Sequence, residues 1–202
     1  MARRLFLIGY MAAGKTTLGR WAARRLGYDF IDLDHYIESR YMKSVSDLFA
    51  ERGEEGFREI ERRMLHEVGE FDRVLISTGG GTPCFFDNMD YMLSQGLTVY
   101  LEASVPVLCR RLKCSHTKRP LVDSKTEEEL AGFVAEMLTR RDIYYRRAHA
   151  VFNSDEYERG EALQKATERL SSLLAQDASA ESHSPLFPDA CPVLWLNKYK
   201  DK

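Results

Sequence analysis

The stretch Leu5-Phe6-Leu7-Ile8-Gly9-Tyr10-Met11-Ala12-Ala13-Gly14-Lys15-Thr16-Thr17-Leu18 decides the fold. Four apolar residues read as a buried strand, and Gly9 to Thr16 fits G-x-x-x-x-G-K-[ST]. Leu18, Trp21, Ala22 and Leu26 then recur with a 3.6-residue period before Gly27 stops the helix. The eight-residue pattern alone would arise by chance in on the order of one per cent of chains this long, taking Gly at about 7%. Its place between strand and helix is what a phosphate cradle requires. Backbone N–H groups of Ala12, Ala13, Gly14, Lys15, Thr16 and Thr17 point at phosphate oxygens, and the helix N-terminus adds partial positive charge. Lys15 reaches the β/γ-phosphates, while the Thr16 hydroxyl suits Mg²⁺. A glycine turn with an incidental lysine leaves this context unexplained, so the chain is expected to bind a nucleoside triphosphate.

Outward from this loop, short apolar runs alternate with longer amphipathic ones. Strands are expected at Leu5–Ile8, Asp29–Asp32, Val74–Ser77, Leu97–Leu101 and Ala150–Phe152. Phe57, Ile60, Met64, Leu65 and Val68 share a helical face, and Thr126–Glu129 reads as a capping box opening another helix. A last helix is expected from about Glu158 to Ala175. Such alternation predicts an α/β domain over residues 1–175, its parallel sheet covered by helices on both faces. Residues 176–202 hold three of the six prolines and read as an appendage, either a mobile tail or one pinned through Trp195.

Two carboxylates, Asp32 and Asp34, stand two residues apart where the second expected strand ends, at the sheet edge where ligands bind in open parallel sheets. Strand alternation sends both the same way if the chain stays extended, one toward magnesium through water and one toward an attacking hydroxyl. The other reading makes Asp34 a plain helix cap at His35. Arg58 and Glu61, three residues apart, read either as a surface pair or as an arginine fork for a carboxylate. In the second case Phe49 and Phe57 wall a ring rather than filling a core. Gly79-Gly80-Gly81 ends the third strand; three glycines are costly in chain entropy, and they let a ligand approach bare N–H groups. Lys118-Arg119-Pro120-Leu121 lies in a polar stretch, about residues 114–125, that reads as a mobile lid able to swing Arg119 onto a transferring phosphoryl group.

Composition excludes other classes. The 202 residues carry 29 Lys+Arg against 31 Asp+Glu, a formal net charge of −2, without the basic excess of a nucleic-acid binder. Apolar residues are 44% and charged residues 30%, an ordinary globular balance. No apolar run reaches the roughly 20 residues of a membrane span, and the first apolar run is too short for a signal-peptide core. A cytoplasmic protein with no nucleic-acid or membrane partner is expected. Cys84, Cys109, Cys114 and Cys191 form no C-x-x-C pair, and the five histidines show no ligand spacing. Reduced thiols and no protein-bound transition metal are expected.

Taken in order, G-Y-M-A-A-G-K-T-T-L-G-R, F-I-D-L-D, L-F-A-E-R-G-E-E-G-F-R-E-I-E, S-T-G-G-G-T, R-P-L-V and R-D-I-Y-Y resemble shikimate kinase from about Leu5 to Leu174. The resemblance implies a nucleoside-monophosphate-kinase-like fold, three layers α/β/α around a five-stranded parallel sheet in order 2-3-1-4-5. It implies a substrate-binding segment at about residues 33–61 and a lid at about 114–125. It puts Asp34, Arg58, Gly80, Gly81 and Arg141 on shikimate, with Arg58 and Arg141 holding the carboxylate, Phe49 and Phe57 lining the pocket and Glu61 orienting Arg58. Lys15 and Arg119 match phosphate-contacting residues, Thr16 and Asp32 the magnesium site, and Arg110 an arginine stacked on adenine. The implied reaction transfers phosphate from ATP, with Mg²⁺, to the 3-hydroxyl of shikimate on the route to aromatic amino acids, in a monomer. Asp34 then either accepts the hydroxyl proton or aligns it. Where the family commonly has Pro-Leu-Tyr after Arg141, this chain has Asp142-Ile143-Tyr144-Tyr145, and Asn153–Glu156 carries no strong adenine-loop motif. The rival readings are a kinase of an open-chain sugar acid such as gluconate, and a nucleotide-dependent switch with no small acceptor.

Overall fold

The computed structural model describes residues 4–114, 125–156 and 160–180. The expected lid from 115 to 124, with Arg119, lies outside the described residues, as does the tail from 181 onward. Among them, five strands form one parallel sheet: β1 (Arg4–Ile8), β2 (Asp29–Asp32), β3 (Val74–Ser77), β4 (Leu97–Glu102) and β5 (Ala150–Asn153), in order β2-β3-β1-β4-β5. The helices are α1 (Lys15–Leu26), α2 (Leu33–Tyr41), α3 (Val45–Val68), α4 (Asn88–Gln95), α5 (Val105–Lys113), α6 (Glu127–Tyr145) and α7 (Glu161–Ala180). The expected order 2-3-1-4-5 is the one observed.

Strand β1 pairs with β3 on one side and β4 on the other, so the chain moves outward in opposite directions from its carboxyl end. That switch point is where an open α/β sheet leaves a crevice, and Gly9 opens directly into it. Successive β1 residues serve opposite faces. Leu5 and Leu7 join a core with α1, α5, α6 and α7, whereas Phe6 and Ile8 join a second core with α2, α3 and α4. All four are fully buried, which explains why β1 reads as a continuous apolar run rather than an alternating one.

Two local features differ from the sequence expectation, and α3 adds a kink that it did not address. Extension ends at Asp32, because its side chain accepts from the His35 N–H and caps α2; Asp34 is therefore a first-turn helical residue, neither strand nor cap. Helix α3 is kinked at Gly53, whose φ of 68° and ψ of −178° interrupt it before Glu54. The last helix starts at Glu161 and runs to Ala180, beyond the expected Ala175. Thr126 forms the anticipated capping box with Glu129 at the start of α6.

Candidate active site

The phosphate loop is shaped before any ligand enters. Gly9, Ala12 and Gly14 have φ of 139°, 61° and 92°, which curls the backbone over the start of α1. A Cβ on Gly9 would fall 2.6 Å from the Leu101 carbonyl oxygen, so no other residue fits there. Lys15 is 8% exposed, and its ammonium donates to the Gly9 and Tyr10 carbonyls at 2.9 and 2.8 Å. Thr16 Oγ1 donates to Asp32 Oδ2 at 2.8 Å, joining the loop to the end of β2. Arg111 donates to the Ser154 hydroxyl and carbonyl, both at 2.9 Å, and Ser154 donates onward to the Ala13 carbonyl. Thus Arg111 is the arginine of α5 that ties the turn after β5 to the loop, while Arg110 lies on the exposed side of the helix.

Beside this loop, the three glycines are demanded by space. None has a positive φ. A Cβ on Gly79 would lie 3.0 Å from Asp34 Oδ1, Glu61 Oε1 and Thr82 Oγ1 alike. On Gly80 it would lie 3.2 Å from Arg141 Nη1 and 3.3 Å from the Met11 amide nitrogen; on Gly81, 2.7 Å from Arg58 Nη2. The triad is thus the floor on which Asp34, Arg58 and Arg141 converge, and Gly80 abuts the phosphate loop itself. Since the atom nearest a Gly81 Cβ ends a flexible side chain, Gly81→Ala should displace the Arg58 fork rather than unfold the domain. Steady-state kinetics should show the acceptor KM raised roughly tenfold, and thermal melts should show little change.

Arg58 and Glu61 form a buried pair, not a surface one. Arg58 is 9% exposed and Glu61 1%, with Nη1 to Oε2 at 2.8 Å. Thr82 donates to the other Glu61 oxygen at 2.6 Å, so both carboxylate oxygens are engaged and the arginine is aimed. Glu54 approaches Arg58 Nη2 at 3.4 Å from the solvent side. Phe85 lies under the guanidinium at 4.0 Å, with Phe57 and Phe49 at 5.5 and 5.6 Å. Phe49 and Phe57 stack at 4.2 Å, so they serve as wall and core together. Arg141 lies 5.4 Å over the Tyr10 ring, and four residues on, the buried Tyr145 donates to the Gly80 carbonyl at 2.6 Å. Cys84 sits near both arginines, its thiol pushed up to about 11 by burial.

Asp34 is open to solvent through the cleft but hemmed in by protein on its other sides. Burial of the carboxyl, then the charges of Glu61 and Asp32, raise its pKa to about 6 against the pull of Lys15. Such a carboxyl is suited to take a proton near neutrality. Phe85, Thr82, Tyr145 and Arg111 escaped the sequence reading; only Tyr145, one turn from Arg141 on the same helical face, left a signal there.

For a divalent cation, the Thr16–Asp32 pair offers two oxygens. Among the described residues no three His, Cys, Asp or Glu gather as a self-sufficient metal site. Two oxygens beside a phosphate cradle fit Mg²⁺, which keeps waters and leans on nucleotide phosphates.

The chain is similar to known proteins along most of its length. The family model for shikimate kinase matches residues 11–171. A shikimate kinase of Parabacteroides distasonis is 58% identical over 154 residues, covering 76% of this chain and 88% of the relative. The crystal structure of shikimate kinase from Bacteroides thetaiotaomicron superposes with a TM-score of 0.83 at 50% identity, covering 87% of this chain and 99% of that one. The Acinetobacter baumannii enzyme in complex with shikimate gives 0.75 at 30% identity, covering 88% and 95%.

Proposed function

Because this chain belongs to the shikimate kinase family, we propose that its two adjoining subsites hold the γ-phosphate of ATP and the 3-hydroxyl of shikimate for direct transfer. The chain is an ATP-dependent shikimate kinase serving aromatic amino acid biosynthesis. The observation that carries the residue assignments is Gly80: one missing side chain separates Arg141 from the Met11 amide of the phosphate loop.

In this reading Arg58 and Arg141 grip the shikimate carboxylate, and Phe49, Phe57 and the glycine floor fit the ring between them. Asp34 meets the 3-hydroxyl and takes or aligns its proton. The hydroxyl oxygen forms the new bond to γ-phosphorus as the bond to the β,γ-bridging oxygen breaks, and ADP leaves. Positioning supplies much of the rate, since the transferring group needs alignment more than covalent assistance. Lys15 exchanges its two loop carbonyls for phosphate oxygens and offsets charge there. Thr16 and Asp32 are the residues that would hold Mg²⁺, which supplies charge neutralisation between the phosphates. Thr17 and the amides of Ala12, Ala13 and Gly14 complete the cradle. Arg119 in the expected lid and Arg110 toward adenine are carried over from the family pattern. A cytoplasmic location is part of the proposal, and no helix of the described residues is long and apolar enough to cross a membrane.

The test is ADP release with shikimate, quinate, gluconate and no acceptor in parallel. A large rate with shikimate alone is expected; equal rates with gluconate, or without acceptor, would overturn the assignment. The acidic limb of kcat/KM for shikimate is a second measure. Asp34 accepts a proton only when ionised, so activity should rise with pH and level off above an inflection at about 6. Asp34→Glu should move that inflection, whereas a flat profile between pH 5 and 7 would remove Asp34 from proton handling.

A further inference from the structure

Along the outer face of α1, starting at the edge of the phosphate cradle, runs a groove of about 290 Å³ lined by Thr16, Thr17, Arg20, Trp21, Arg24 and Leu163. Positions 17, 20, 21 and 24 form one stripe at helical spacing, and Leu163 faces them from α7. Arg20 and Arg24 are exposed, and neither has an ion pair among the described residues. A third guanidinium, from Arg25, lies 3.8 Å over the Trp21 ring, and that of Arg20 lies 5.7 Å from Phe30. Within Trp21, Nε1 is sealed from solvent and has no acceptor.

Packing accounts for Leu163 and the inner edge of Trp21, which belong to the core beneath. It does not account for two unneutralised arginines around a concavity. On α6 and α7, by contrast, Arg140 is balanced one turn away by Glu136 and Lys165 by Glu161. Flat guanidinium faces and an indole stack on planar rings, and the forks bind carboxylate or phosphate. We propose that this groove, which adjoins the phosphate cradle at Thr16 and Thr17, is a second ligand site for a small aromatic anion, built on Arg20, Trp21, Arg24 and Leu163. Arg20 and Arg24 hold the anionic head, and Trp21 and Leu163 flank the ring.

Trp21 and Trp195 are the only tryptophans, so the full-length Trp195→Phe protein carries a single reporter in the groove. With MgADP saturating the phosphate cradle, phenyl phosphate, benzoate, inorganic phosphate and phenol are titrated by calorimetry and by Trp21 emission. Phenyl phosphate or benzoate should bind saturably, more tightly than inorganic phosphate, and phenol should give no response. Arg20→Ala/Arg24→Ala should weaken binding roughly tenfold or more while leaving turnover at saturating ATP and shikimate unchanged. Three results would each overturn the proposal: no saturable heat or emission change, an undiminished response in the double variant, or a response that MgADP abolishes. Equal affinity for inorganic phosphate would overturn the aromatic part of it.

Discussion

Replacing Asp34 by Asn is expected to cut kcat by on the order of 10²–10⁴-fold while the KM for ATP stays within about threefold. The amide keeps the shape and can still hydrogen-bond the acceptor hydroxyl, but it cannot take the proton. Initial rates at saturating ATP and shikimate measure the loss, and near-normal turnover would refute the role. Stability should move the other way. Asp34 titrates in the folded chain at about 6, above the ordinary 3.8, so the native state holds that proton more tightly than the unfolded one. Its ionisation therefore removes stability as pH rises from about 4 through about 6. Asn carries no such charge, so the variant should melt no lower than the parent at pH 7 to 8. A loss of activity accompanied by a lower melting temperature would mean a damaged fold instead.

The second large effect belongs to Arg58. Arg58→Ala should raise the KM for shikimate by about 100-fold or more, the scale for truncating one partner of a buried, hydrogen-bonded charge contact. It should also cost about 3–5 kcal/mol of stability, because Glu61, at 1% exposure, would be left without its cation. Arg58→Ala/Glu61→Gln separates the two effects. The double variant should regain much of the melting temperature, since the neutral amide at position 61 can still accept from Thr82, yet shikimate affinity should stay low. Recovery of affinity along with stability would show that Arg58 merely braces the fold. Arg58→Lys should not rescue binding well, for an ammonium cannot span two carboxylate oxygens as a fork does.

Much of this was legible in the sequence for definite reasons. Leu5–Ile8 followed by Gly9–Thr16 carries its own local geometry, so strand, loop and helix appear where expected. What stayed hidden depended on contacts between distant segments. Arg58 and Glu61 look like any surface pair at three-residue spacing; Thr82, 21 residues downstream of Glu61, makes them a buried clamp. The glycine triad announced a ligand approach, but its cause is crowding by Asp34, Glu61, Arg58 and Arg141, arriving from three helices. At Asp32 two local rules competed. Strand alternation would have extended the chain to Asp34, and the side-chain cap on the His35 amide won. Tyr145 was visible only as an aromatic one turn beyond Arg141, and its bond to the Gly80 carbonyl needed the fold.

The even and odd residues of β1 feed separate packing clusters, and the two reactants divide along the same boundary. The phosphate donor's cradle leans on α1 and its neighbours on one side, while the residues that choose the acceptor ride mostly on α2 and α3 on the other. Mutational drift can therefore recut the acceptor half with little repacking behind the nucleotide loop, since the central strands insulate one half from the other. A scaffold partitioned in this way is open to taking new alcohols as phosphate acceptors while its energy source stays constant.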